Sequence, residues 1–149
     1  MIRSVAAIIL ALSLWVPPVT AQQAGWPNLD QLLFSTLTAS GRAEASFWLP
    51  DRPEPTTATR ALGVVYEHIP GSAGSVSIAV GLYQRVAEGW AFVGPVEGLF
   101  GNSPREVEFG PTSLDLTTTM LGPNEPRCCP TLPVRWRIDL ATRVAQRLN

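Results

Sequence analysis

Lysine is absent from the chain. All 11 cationic side chains are arginine, and they stand against 12 acidic ones. No run of like charge interrupts the sequence, so neither a nucleic-acid-binding patch nor a charged tail is expected. Histidine occurs once, at His68. That leaves a serine triad with one candidate base and a metal site with one imidazole. No nucleophile-elbow pattern surrounds any serine, and neither Gly71-Ser72-Ala73-Gly74 nor 94–101 matches a phosphate loop followed by a helix. No cofactor and no metal are therefore expected. Cysteine is nearly absent too: there are two, Cys128 and Cys129, side by side. Beyond residue 16 no apolar stretch approaches the length that crosses a bilayer.

What the chain does have begins with an export pattern. Met1-Ile2-Arg3-Ser4 is short and positive, and Val5 to Val16 is an apolar run of signal-peptide length. Pro17-Pro18 breaks it, and Val19-Thr20-Ala21 offers the small residues a signal peptidase accepts. A signal peptide over 1–21, cut after Ala21, is expected. Removing those 21 of 149 residues leaves 128, enough for one domain over 22–149. Loss of Arg3 leaves 10 arginines against 12 acids, a net charge near −2. No cysteine sits near the cut, so no lipid anchor is expected.

Hydrophobic spacing divides the mature chain. Asn28 caps a short helix with Gln31 in the capping-box position, and Leu29, Leu32, Leu33 and Leu37 share one face that ends by Gly41. From there the pattern is β. Strands are expected over 43–49, 62–68, 75–85, 90–93, 105–109, 112–120, 134–139 and 143–148. Ala87-Glu88-Gly89 reads as a hairpin loop with glycine at the position needing positive φ. Three prolines within Pro50-Asp51-Arg52-Pro53-Glu54-Pro55 exclude regular structure. Leu99 and Phe100 are expected under the sheet. Val134, Trp136 and Ile138 alternate with Arg135, Arg137 and Asp139, an inside–outside pattern suited to an antiparallel sheet packed on one face. The expected fold is α+β, mainly β: an antiparallel meander sheet with the N-terminal helix packed on it.

The unusual chemistry lies in Gly122-Pro123-Asn124-Glu125-Pro126-Arg127-Cys128-Cys129-Pro130, a run of turn formers between two strands. Disulfides normally join α-carbons about 4.4–6.8 Å apart. Neighbours across a trans peptide stand about 3.8 Å apart, so a bond between Cys128 and Cys129 would be strained and easily reduced. Three readings stay open. A strained vicinal disulfide that stiffens the loop stands first, because an exported chain meets an oxidising compartment. Two reduced thiols, at least partly buried, stand second. A redox pair or metal site stands third, because redox enzymes space their cysteines by two residues and start a helix at the first.

Arg127 either lowers a neighbouring thiol's pKa or pairs with Glu125 or Asp139. With Arg135 and Arg137 it forms a candidate anion site. Glu106 and Glu108 fall on one face of a strand and are paired carboxylates that could do acid–base work.

The segments Gly98-Leu99-Phe100-Gly101-Asn102-Ser103-Pro104, 122–131 and Arg135-Trp136-Arg137-Ile138-Asp139 resemble a group of bacterial exported proteins of unknown function. These share a double-cysteine-proline loop followed by a strand carrying tryptophan. The loop is also distantly similar to that of actinobacterial lipoproteins of the LppP/LprE type, though this chain lacks their lipobox cysteine. The resemblance implies a periplasmic or secreted bacterial protein and supplies no activity. The expected function is a non-enzymatic module that presents the Cys128-Cys129 loop to a partner protein or small ligand. The alternative is a thiol-active envelope protein in which the two cysteines cycle, and a third reading is a carboxylate hydrolase using Glu106 and Glu108.

Overall fold

The computed structural model describes residues 25–40 and 42–149. The expected signal peptide and its cut after Ala21 lie outside the described residues, as does Gly41.

Helix α1 spans Leu29–Leu37, and Asn28 caps it: its Oδ1 accepts a hydrogen bond from the Gln31 backbone N–H at 3.1 Å. The helix ends at Thr38, which takes an extended conformation (φ −116°, ψ 146°). Hydroxyls absorb the carbonyls of the last turn. Thr36 Oγ1 donates to Leu32 O at 2.7 Å and Thr38 Oγ1 donates to Phe34 O at 2.9 Å. Such back-bonding explains why the element stops after nine residues.

Eight strands follow: β1 Ala45–Pro50, β2 Arg60–His68, β3 Val76–Val86, β4 Gly89–Pro95, β5 Asn102–Phe109, β6 Ser113–Met120, β7 Leu132–Asp139 and β8 Ala145–Arg147. Every pairing between strands is antiparallel and joins sequence neighbours, so the expected meander stands. It is split into two four-stranded sheets, β1-β2-β3-β4 and β5-β6-β7-β8. The break falls where Pro95 ends β4 and a glycine-rich link crosses to the second sheet. Gly98 (φ +79°) and Gly101 (φ +96°) take left-handed conformations there. A β-carbon on Gly101 would stand 2.9 Å from Thr118 Cβ, so the link lies tight against β6. Gly89 in the β3–β4 hairpin has φ +131°, as its turn requires.

The sheets pack face to face. Leu62, Val64, Tyr66, Val80 and Leu82 from the first meet Leu114, Leu116, Val134, Trp136 and Ile138 from the second, all buried. Val96 and Leu99 of the link plug the same core. Phe100 departs from expectation: it is 56% exposed, because Gly101 turns the chain back to the surface just after Leu99.

The first sheet buries its other face as well. Helix α1 and Trp48 and Trp90 cover Ala61, Val65 and Tyr83. Gly63 and Gly81, directly opposite one another in β2 and β3, open the groove for it. A β-carbon on Gly63 would come within 2.6 Å of Tyr83 Cε2 and closer still to Leu33; one on Gly81 would stand 2.9 Å from Leu37 Cδ2. Thr36 Oγ1 and Tyr83 Oη share a 2.5 Å hydrogen bond that satisfies the phenol beneath the helix. The architecture is thus three layers: helix, sheet, sheet.

Candidate functional site

The double-cysteine loop joins β6 to β7 beyond the closing pair Met120 and Leu132. Three prolines fix its path and deny it regular backbone pairing. A side chain supplies the missing bonds. The Glu125 carboxylate accepts from the Gly122 N–H at 2.9 Å and the Thr131 N–H at 2.9 Å, and from the Thr131 hydroxyl. One carboxylate therefore ties both ends of the loop together. These bonds, the Thr131 hydroxyl first, hold the Glu125 carboxyl below the ordinary carboxylate range. Gly122 is buried against it: a β-carbon there would meet Glu125 Cδ at 3.1 Å. Two tight turns complete the loop, Glu125 N–H to Gly122 O at 3.3 Å and Cys129 N–H to Pro126 O at 3.1 Å.

At the tip Cys128 and Cys129 are free thiols, both exposed. This corrects two expectations: the strained disulfide put first is not formed, and the reduced thiols are not buried. The loop reaches outward past the sandwich core, so nothing packs over the pair. The neighbouring Cys128 side chain, first among the causes, raises the Cys129 pKa above its ordinary value. A raised thiol is the opposite of an activated nucleophile.

The three candidate arginines do not act as one cluster. Arg137 forms a two-pronged pair with Asp115, Nε to Oδ1 at 2.7 Å and Nη2 to Oδ2 at 2.7 Å. Arg135 Nη2 reaches Glu108 Oε2 at 2.8 Å and Asp115 Oδ2 at 3.7 Å. The register explains this ladder, since Asp115 stands opposite Glu108 on one side and Arg137 on the other. The Arg137 bond, first among several causes, lowers the Asp115 carboxyl. Both guanidiniums are thereby committed to carboxylates. Arg127 pairs with neither carboxylate expected for it. Glu125 is held by Gly122 and Thr131, and Asp139 accepts from Ala141 N–H at 3.0 Å and from Thr142 N–H at 2.7 Å. Arg127 has no hydrogen bond or ion pair among the described residues.

The carboxylate reading keeps its shared face but gains no pocket with His68. Glu106 and Glu108 are both exposed, alternating with Val107 and Phe109, which pack on the core, although register shifts interrupt β5 on both sides of Arg105 and Glu106 has φ +54°. Glu108 is spent on Arg135. His68 lies elsewhere, its Nδ1 3.9 Å from Glu44 Oε1, in a recess of about 530 Å³ that neither Glu106 nor Glu108 lines. Sequence reasoning did not bring His68 together with the other polar members of that recess, Ser40, Arg42, Glu44 and Glu67. Ser40 donates to the Glu67 carboxylate across 27 positions, and no local pattern announces such a contact. Among the described residues no group of three or more His, Cys, Asp or Glu side chains converges as a metal cage would.

Hydrogen bonds fix what surrounds the loop. Tyr66 Oη, whose pKa burial pushes up to about 12, donates to Gly101 O at 2.7 Å. Thr118 Oγ1 donates to Phe100 O at 2.8 Å and accepts from Trp136 Nε1 at 2.8 Å. Asn102 pairs with Thr119. The ends of β2 and β6, the start of β5 and the double-cysteine loop therefore share one end of the sandwich, where Phe100 and Leu121 (45% exposed) are open to solvent. Sequence periodicity did not reveal Phe100 as exposed; the glycine immediately after it was the available signal.

Comparison of the chain with protein-family models, with curated proteins and with solved structures returned no match.

Proposed function

We propose that this chain is an exported bacterial module without catalytic activity, periplasmic or secreted, that presents the Cys128-Cys129 loop to a protein partner or small ligand. The observation that carries the reading is the Glu125 clamp, which holds a proline-rich loop in one shape while leaving both sulfurs at its tip in solvent. The resemblance of segments 98–104 and 122–131 to exported proteins supports the location.

The thiol-active alternative is the weaker reading. A redox pair is normally spaced by two residues with a helix starting at the first cysteine, whereas this pair is adjacent in a proline-rich turn. Two measurements test the proposal. Protein recovered from outside the cytoplasm of an expressing bacterium should have the intact mass of a chain starting at Gln22. The same protein should show no turnover against a disulfide-scrambled substrate. Retention of residues 1–21 overturns the export reading, and sustained disulfide exchange that vanishes in Cys128→Ser overturns the non-enzymatic one.

A further inference from the structure

We propose that Cys128 and Cys129 together chelate one thiophilic ion, of the class of monovalent copper or trivalent arsenic, with both sulfurs bound to the same atom. This rests on the reading of the loop as a ligand-presenting element and names the ligand. Neighbouring side chains on an extended strand point to opposite sides. Here the Cys129 N–H to Pro126 O turn curls the tip, both thiols are free and exposed, and their α-carbons stand only about 3.8 Å apart across one peptide. A single atom can bridge sulfurs so placed. The clamp by Glu125 and the flanking prolines order the tip before any ligand arrives, which lowers the cost of binding.

The donor set selects the ion. Thiolates favour soft ions, whereas calcium and magnesium take oxygen. Both Glu125 oxygens are already engaged, so no carboxylate is offered. Structural zinc takes four ligands, and no third donor of the described residues joins the pair. Ions content with two or three ligands remain.

The chemistry balances without an oxidant. Each thiol gives up its proton as its sulfur donates an electron pair to the ion. With an aryl arsenoxide both protons leave with the arsenic-bound oxygen as one water. Arsenic stays trivalent and both sulfurs stay at the thiolate level.

The test uses the full mature chain, reduced with a phosphine that is then removed under inert gas, and phenylarsine oxide as the probe. Native intact mass should show one arsenical per chain, added with loss of one water, and no thiol left for iodoacetamide. Cys128→Ser and Cys129→Ser should each weaken retention about 100-fold, because the second sulfur binds intramolecularly. Monovalent copper supplied first should protect both thiols from alkylation in the wild type. The proposal is overturned if two arsenicals add per chain, if either serine variant retains the probe as well as the wild type, or if copper leaves the alkylation rate unchanged. Those outcomes, with the thiols still reactive in the folded chain, remove the ion and leave the presenting loop. Thiols that react only after unfolding remove both.

Discussion

β2 and β7 occupy equivalent places, each paired on both sides within a four-stranded meander, yet their burial differs. In β2 six consecutive residues, Ala61 to Tyr66, are buried. In β7 Val134, Trp136 and Ile138 are buried while Arg135 and Arg137 lie outward against Glu108 and Asp115. The difference comes from what covers the outer face. Helix α1 and a tryptophan cluster lie over the first sheet, and a charged ladder in water lies over the second. Trp26, Trp48 and Trp90 meet with ring centroids 5.0–6.0 Å apart, so the covering layer has aromatic contacts of its own. A middle strand thus reads as alternating or continuous according to its second neighbour layer, not its pairing.

That contrast can be broken most forcefully at Gly63. A valine there has no room beneath Leu33 and Tyr83 and should cost about 3 kcal/mol of unfolding free energy in urea titration. A variant as stable as the wild type would mean the helix does not dock on the first sheet. Next in size is Thr118→Val on the shared core. It keeps the shape but strands Trp136 Nε1 and Phe100 O, for an expected loss of about 2 kcal/mol. A cost under about 0.5 kcal/mol, the range of an uninvolved surface site, would show that this network does not hold the link against β6.

The outer face of the second sheet should respond more weakly and with pH. The folded Asp115 pKa lies below its ordinary 3.8. Its stabilisation is therefore complete above that value and fades as pH falls through the folded pKa. Asp115→Asn should be less stable than the wild type near neutral pH, by about 1 kcal/mol, and the two should converge on acidification below pH 3.8. A difference that persists in acid would place the effect in packing instead. Smallest of all, Arg135→Ala should cost about 0.5 kcal/mol, since Arg135 and Glu108 are both well exposed, and added salt should shrink the difference.

The same comparison explains what the sequence disclosed. The alternation in 134–139 and 112–120 and the turn at Gly89 announced their strands, because water on one face enforces a period of two. The Asn28 cap and the leucine face disclosed the helix, and Leu99 its burial. The division into two sheets was not legible, because alternation records which face is wet and says nothing about where a meander breaks. Gly63 and Gly81 carried the docking groove without any hydrophobic signal, since what matters there is the missing side chain. At the site, the composition of the loop was legible and its clamp was not: Glu125 was read as a partner for Arg127, whereas backbone donors at Gly122 and Thr131 claimed it. The pairing of Arg135 and Arg137 with Glu108 and Asp115 follows from register, which a single strand's sequence does not contain.

The most direct test of the account is native-state alkylation of the phosphine-reduced protein, followed by intact mass. A loop that presents both sulfurs predicts two adducts on the folded chain, formed without denaturant. Thiols that stay unmodified until the protein unfolds would contradict it.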